Sequence, residues 1–388
     1  MKTLYQDFQV RFTYPVYFTR NIFSLENAEF AEFIDLHTDQ AASAKLLFVI
    51  DKGVSDAHPG LTSAISSYVE SIANVEMPVE PVIFEGGEGV KNNPMLVEQL
   101  VAMVDDYGID RHSFIVAIGG GALLDMVGYV AAISHRGVRH IRIPTTVLSQ
   151  NDSGIGVKNG VNFKGKKNFL GSFTPPVAVF NDRDFLDTLD DRNWLSGISE
   201  AVKVALIKDK SFYEFIKSNA SDIATKRNSP AMQELIYHCA NLHMQHIRSG
   251  DPFEFGSSRP LDFGHWSAHK LEQLTNFELL HGEAVAIGIA IDTVYSFFIG
   301  NISEEEARGV LDLFLEVKLP IYNELLTTKK EGENVILLGL EEFREHLGGQ
   351  LTVTLLKEIG LGQEYHQLDS AVILQAIEYL KNYIKDGA

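Results

Sequence analysis

The stretch FIVAIGGGALLDMVGYVAAI, residues 114–133, decides the fold. Residues 114–118 form an apolar run of strand length, Gly119, Gly120 and Gly121 follow, and 123–133 continues as an apolar helix. The segment approaches the length of a membrane span, but Asp125 and the three glycines interrupt it. A buried strand, a tight turn and a buried helix are therefore expected. Glycines at that turn remove side chains where a backbone must come close to something, and the next helix opens with N–H groups facing outward. This is the outline of a diphosphate site. The spacing GGGALLD is not the G-x-G-x-x-G fingerprint, so a plain strand-to-helix turn remains the competing reading.

The same rhythm extends on both sides of this unit. Strands are expected at 46–51, 82–84, 141–143 and 177–180, and helices at 61–72 and 96–107. Such alternation predicts an α/β domain with a Rossmann-like parallel sheet. From Asp191 onward the chain turns to long amphipathic stretches, which predicts an all-α second domain, with loops at 249–260 and 327–334. The shift in composition at 184–192 places the boundary between domains 1–186 and 187–388. A length of 388 residues suits two domains.

Charge and composition narrow the function. The net charge of −19 repels phosphate backbones and anionic lipid, so neither nucleic acid nor membrane is an expected partner. A small anionic substrate stays open, because a few local cations override a distant, screened field. The lone Cys239 forms no internal disulfide, and the N-terminal MKTLYQDFQVRFTYPVYF has no secretory core. A cytoplasmic protein is expected.

Three groups of residues could carry chemistry. The first is the glycine turn, with Asp51 at an earlier strand end able to accept from a ribose. The second is Glu200 with His265, His269 and His281. His265 and His269 share a helix face at i, i+4, and imidazoles with a carboxylate suit zinc or a similar ion. The third is NDSGIGVKNGVNFKGKKNFLG, residues 151–171, which places Lys158, Lys166, Lys167 and Asn168 among glycines in an acidic protein. Compact ammonium charges beside exposed backbone N–H groups suit a phosphate or a phosphorylated sugar. A solvated hairpin is the competing reading there.

GGGALLDMVGYVAA, HRGVRHIRIPTTVLSQNDSGIGVKNGVN, GKKNFLGSFTPP, FLDTLDDRNWLSGISEAVK, DFGHWSAH and HGEAVAIG occur in that order. Together they resemble the sugar phosphate cyclases typified by 3-dehydroquinate synthase. The resemblance implies an NAD-binding N-terminal domain, a helical C-terminal domain and a homodimer. By motif it makes Glu200, His265 and His281 the ligands of a divalent metal, zinc or cobalt, and moves His269 to the substrate phosphate. It gives Asp51, Glu88, Lys91, Gly120, Gly121, Asp125, Thr145 and Thr146 to NAD. Asp152, Lys158, Lys167, Asn168 and Lys203 fall to the phosphorylated sugar substrate, and Arg136 to the neighbouring subunit's phosphate pocket. The implied chemistry is a redox-assisted cyclisation: transient oxidation of a ring alcohol, phosphate elimination, re-reduction and aldol closure, with NAD returned unchanged.

The chain departs from the dehydroquinate synthase pattern in several places. Met244 stands where that enzyme has lysine, Ser258 and Asp262 stand in place of R-x-x-x-N with Arg259 displaced by one, and GGKTG has become GVKNG at 156–160. Glu345 and His346 occupy the region of paired lysines. Loss of the cations that hold a substrate carboxylate, with Asp262 in the same region, points to cyclases that use sedoheptulose 7-phosphate and form 2-epi-5-epi-valiolone or a related cyclitol. The alternatives are a 3-dehydroquinate synthase and a metal-dependent alcohol dehydrogenase. The lysine cluster argues against the latter, since a simple alcohol needs no phosphate site.

Overall fold

The computed structural model describes residues 2–38, 43–164, 166–249, 251–253, 261–346, 349–385 and 387. Ser258 and Arg259 lie outside these residues, as does the side chain of His346. By its internal contacts the chain forms two compact units, one of residues 1–118, 122–143 and 157–181, the other of 119–121, 144–156 and 182–388.

The first unit is built on a seven-stranded sheet. Its strands are β1 (Val16–Thr19), β2 (Ala44–Asp51), β3 (Val75–Glu76), β4 (Val82–Phe84), β5 (Phe114–Gly119), β6 (Arg139–Pro144) and, after a separate hairpin of β7 (Lys158–Phe163) and β8 (Lys166–Phe173), β9 (Ala178–Asp182). Their order is β1-β9-β6-β5-β2-β3, with β4 also on β2. The pairings of β2 with β3, β4 and β5, and of β6 with β9, are parallel. Helices α1 (Glu29–His37), α2 (Lys52–Ala57), α3 (Leu61–Glu70), α4 (Pro94–Asp106) and α5 (Gly121–Ile133) connect them. The continuous apolar runs of β2 and β5 are what a strand covered on both faces requires, and residues 46–50 and 114–118 are fully buried. Leu47, Val49, Ile115 and Ala117 pack with Leu123, Leu124 and Val127 of α5.

The second unit is helical: α6 (Asp191–Ser196), α7 (Ile198–Lys208), α8 (Lys210–Ser218), α9 (Ala220–Thr225), α10 (Pro230–Arg248), α11 (His265–Leu274), α12 (His281–Phe298), α13 (Glu304–Glu316), α14 (Leu338–His346) and α15 (Ser370–Lys385). It also holds two antiparallel ladders that the helical periodicity did not anticipate. One joins β10 (Lys329–Lys330) to β11 (Glu333–Asn334), inside the expected loop 327–334, and the other joins β12 (Val353–Glu358) to β13 (Leu361–Tyr365). Residues 353–356 are buried in the helical core, and Gly360 turns the hairpin at φ 91°. An apolar run this short fits strand and helix equally, which is why periodicity alone missed it. Among the described residues no helix is long and apolar enough to cross a membrane.

Two helices set the site. Gly264 and Gly288 bring the start of α11 against the middle of α12, because a Cβ on Gly288 would collide with the Gly264 carbonyl oxygen. Asp292, buried on α12, accepts from Gly264 N at 3.0 Å and from Trp266 Nε1 at 2.9 Å, pinning the same turn. The head of α12 is fixed likewise, since a Cβ on Gly282 would strike the Ser196 carbonyl oxygen of α6. The glycines of DFGHWSAH and HGEAVAIG are thus contact points between backbones.

Candidate active site

Glu200 of α7, His265 of α11 and His281 at the head of α12 converge in the second unit. Glu200 is fully buried, and its Oε2 pairs with the buried ammonium of Lys203 one turn along α7. The other oxygen, Oε1, stands 3.6 Å from both His265 Nε2 and His281 Nε2. Each imidazole is oriented from its far side. His265 Nδ1 is 3.1 Å from the Phe263 carbonyl oxygen, and His281 Nδ1 is 3.2 Å from Glu272 Oε2. The carbonyl acceptor at His265 Nδ1 puts the proton there and leaves the Nε2 lone pair facing Glu200.

Charge completes the arrangement. Burial works to raise the Glu200 carboxyl, but the Lys203 ammonium and then His281 overcome it and bring it down to about 2. Burial, and next the Lys203 charge, pushes the His265 imidazole well below its ordinary value, so it is neutral as ligation requires. Burial would lower Lys203, yet Glu200 and then Asp152 keep it raised and charged. An anion, the neutral imidazole of His265 and the imidazole of His281 form a donor set that fits a divalent ion. Ligand atoms about 2.1 Å from a tetrahedral centre stand about 3.4 Å apart, close to the spacing seen here.

His269 lies beside this trio in a second convergent group, with Glu272 and His281. Its ring is 5.5 Å from that of His265 and 6.1 Å from that of His281. Spacing offered His265 and His269 equally to an ion, whereas only His265 joins Glu200. Glu272 escaped the sequence reading, although the i+3 step from His269 was a legible signal.

Asp152 sits in a single π-helical turn, Ser149–Ser153, the kind of irregularity frequent at functional sites. Asn151 anchors the turn by donating from Nδ2 to the Gly197 carbonyl at 2.8 Å. Asp152 Oδ1 is 2.8 Å from Nδ1 of His243 on α10. His243 was also missed, and nothing in its spacing announces it. Thr146 exchanges bonds with Ser149, its Oγ1 accepting from Ser149 N at 3.0 Å while its own N donates to Ser149 Oγ at 3.0 Å. Thr145 is buried and donates from its backbone N to Gly119 O at 3.1 Å. Gly121 has no room for a side chain, since a Cβ would meet Ser153 Oγ at 2.5 Å, and Gly120 lies against Thr146. Asp262 contributes its backbone carbonyl to His265 N at 3.0 Å, and its charge acts on Lys203.

The remaining expected residues belong to the first unit. Asp51 caps α2 by accepting from Gly53 N at 2.8 Å, and it lies over Gly86, where a Cβ would overlap its carboxylate. Burial raises its carboxyl. Lys91 and Asp125 pair with each other at 2.8 Å, the lysine buried. Asn162 of β7 joins two groups, donating from Nδ2 to Glu88 Oε1 at 3.0 Å and accepting at Oδ1 from Asn168 N at 2.8 Å. The solvated hairpin is present: Lys158 and Asn168 are exposed and Lys167 is half-buried. Arg136 is exposed in a turn after α5, at φ 63°.

One departure from the dehydroquinate synthase pattern has a structural explanation. Asn159, one of the two altered residues of GVKNG, is buried with Oδ1 accepting from Arg142 Nη2 at 2.6 Å and Nδ2 donating to Thr174 O at 2.9 Å. The fully buried Arg142 also donates to the Lys158 carbonyl at 3.0 Å, so the pair ties the hairpin base to the sheet.

A buried carboxylate and imidazole cluster on helices, in a chain that also holds a Rossmann-like parallel sheet and a glycine turn, has known relatives. The family model described as 3-dehydroquinate synthase N-terminal matches residues 81–196, and the one described as 3-dehydroquinate synthase C-terminal matches 197–335. The chain belongs to the 3-dehydroquinate synthase family, among the sugar phosphate cyclases. A 3-dehydroquinate synthase of Ruthia magnifica subsp. Calyptogena magnifica is 31% identical over 93% of this chain and 94% of its own. A 2-epi-valiolone synthase of Actinosynnema mirum is 32% identical over 84% of this chain and 83% of its own. Among solved structures, ValA, a 2-epi-5-epi-valiolone synthase from Streptomyces hygroscopicus subsp. jinggangensis 5008 with NAD+ and Zn2+ bound, superposes with a TM-score of 0.87. It is 28% identical, with 98% of this chain and all of that one covered.

Proposed function

We propose that this protein is a sugar phosphate cyclase for a neutral-headed seven-carbon ketose phosphate, sedoheptulose 7-phosphate, which it closes to 2-epi-5-epi-valiolone or a related cyclitol. The observation that carries the reading is the charge balance around Lys203. That ammonium is already committed to Glu200, and the carboxylates of Asp152 and Asp262 add to the negative field on it. With Met244 at the family's lysine position, a substrate carboxylate would enter a region that, among the described residues, is rich in carboxylates and poor in cations. Burying an anion that way costs several kcal/mol. A hydroxymethyl group instead meets hydrogen-bond acceptors. The likeness to ValA and to the Actinosynnema mirum synthase supports the same choice.

ValA holds NAD+ and Zn2+, and we extend both to this chain, with zinc or cobalt at Glu200, His265 and His281. NAD+ supplies a reversible hydride acceptor, and the divalent ion polarises the alcohol to be oxidised. Gly120, Gly121, Thr145 and Thr146, with Asp51, Glu88, Lys91 and Asp125, are assigned to NAD+. Lys203 and Asp152 orient substrate hydroxyls, His269 and the hairpin residues Lys158, Lys167 and Asn168 bind phosphate, and Arg136 serves the neighbouring subunit of a homodimer.

The test is incubation of NAD- and metal-loaded protein with sedoheptulose 7-phosphate. One phosphate released per product, a product mass lower by phosphoric acid and no net NADH are expected. Stoichiometric NADH would instead identify an alcohol dehydrogenase. The dehydroquinate synthase relative at 31% identity keeps that activity as the second reading.

A further inference from the structure

The π-helical turn that carries Asp152 packs against α10, and the residue it meets there is His243, directly before Met244. His243 Nδ1 and Asp152 Oδ1 are 2.8 Å apart. On the other side of the imidazole, Nε2 faces the backbone at Gly156, where an added Cβ would lie 3.5 Å away. The ring is thus held between the turn and the glycine that follows it. Burial alone would raise the Asp152 carboxyl, but His243 chiefly, with Lys203, holds it below its ordinary value, while Glu200 opposes them. Asp152 therefore belongs to the same charged group as Glu200 and Lys203, and its side-chain partner on α10 is an imidazole no motif singles out.

We propose that His243 is a positioning residue for the cyclisation, occupying Oδ1 of Asp152 so that the second carboxylate oxygen is aimed at a hydroxyl of the ketose phosphate. This rests on the reading of the chain as a sugar phosphate cyclase, though not on which heptulose it takes. A carboxylate on a short irregular turn has two soft torsions, and an imidazole nitrogen 2.8 Å from one of its oxygens restricts that freedom before substrate arrives. The family's lysine position is apolar here, and the polar partner comes from the preceding residue on the same helix.

The experiment is a double-mutant cycle with His243→Leu, His243→Asn, Asp152→Asn and the His243→Leu/Asp152→Asn pair, read as kcat and KM for whichever of sedoheptulose 7-phosphate and the carboxylated dehydroquinate precursor the unaltered protein turns over. His243→Leu should lower kcat/KM ~10- to 100-fold with bound NAD+ and metal content unchanged. His243→Asn, whose amide can donate near the Nδ1 position, should recover most of the loss. In the Asp152→Asn background, His243→Leu should change kcat/KM by no more than ~3-fold. A His243→Leu enzyme of full efficiency, or an equal loss in both backgrounds, overturns the proposal. Should neither heptulose phosphate release phosphate, the cyclase reading fails and the pair is tested separately by nitrogen-15 NMR of the histidine rings, with His243→Asn assigning the signals. Asp152→Asn should then shift the His243 Nδ1 resonance. An unmoved resonance sinks the pairing itself.

Discussion

The Glu200, His265 and His281 cluster and the β7–β8 hairpin are both assigned to chemistry, yet they are constructed in opposite ways. In the cluster the side chains are buried or half-buried and closely neighboured: Lys203 on one Glu200 oxygen, the Phe263 carbonyl behind His265, Glu272 beside His281, and Asp292 and paired glycines behind the helices. The hairpin is tied at its base by Arg142 and Asn159 and bridged to Glu88 through Asn162, while Lys158 and Asn168 stand exposed. A site that must hold an ion before substrate arrives is preorganised by the fold. The hairpin proposed for phosphate instead presents Lys158 exposed and Lys167 half-buried.

The largest effect should come from the first construction. Glu200→Gln removes the only anion facing His265 and His281 among the three proposed ligands, and metal content by elemental analysis should fall with phosphate release, the latter by ~1000-fold or more. Retention of both would break the comparison at its strongest point. Next is Gly288→Val, which forces a branched side chain into the Gly264 carbonyl. It should cost about 3 kcal/mol or more in urea unfolding and take metal binding with it. Stability within 1 kcal/mol of the unaltered protein would show that the α11–α12 contact is not what holds the cluster.

These contrasts bear on what could be read beforehand. The β5–glycine–α5 unit was legible because a buried strand needs an unbroken apolar run and a turn against a backbone needs glycine. The imidazoles were legible as a group, since helical spacing fixes a shared face, but spacing could not choose between His265 and His269. That choice depends on Glu200 arriving from α7, which is a tertiary fact. His243 and Arg142 had no local signature because their partners, Asp152 and Asn159, lie on other elements. The β12–β13 hairpin was lost for a different reason, its short apolar run being compatible with either periodicity.

A smaller effect is expected at the hairpin. Lys167→Ala should raise KM for the phosphorylated substrate ~10- to 100-fold with metal content and melting temperature unchanged. A drop in melting temperature comparable to that of Arg142→Met would mean that the lysine holds the hairpin together. The smallest effect concerns Asp292, whose carboxyl burial raises to about 7 despite bonds from Trp266 and Gly264. The folded state then retains a proton that the unfolded chain loses above about pH 4, so stability from this group is full below that pH and declines up to about pH 7. Chemical denaturation across that range should show a shallower decline in Asp292→Asn, and identical slopes would remove Asp292 from the account.

The central claim concerns the head group of the substrate, and it is tested most directly by the ratio of kcat/KM for sedoheptulose 7-phosphate to that for the carboxylated dehydroquinate precursor, on one preparation of NAD- and metal-loaded enzyme. The surplus of carboxylates around Lys203 predicts a ratio well above one. A clear preference for the carboxylated substrate would contradict it and make the protein a 3-dehydroquinate synthase.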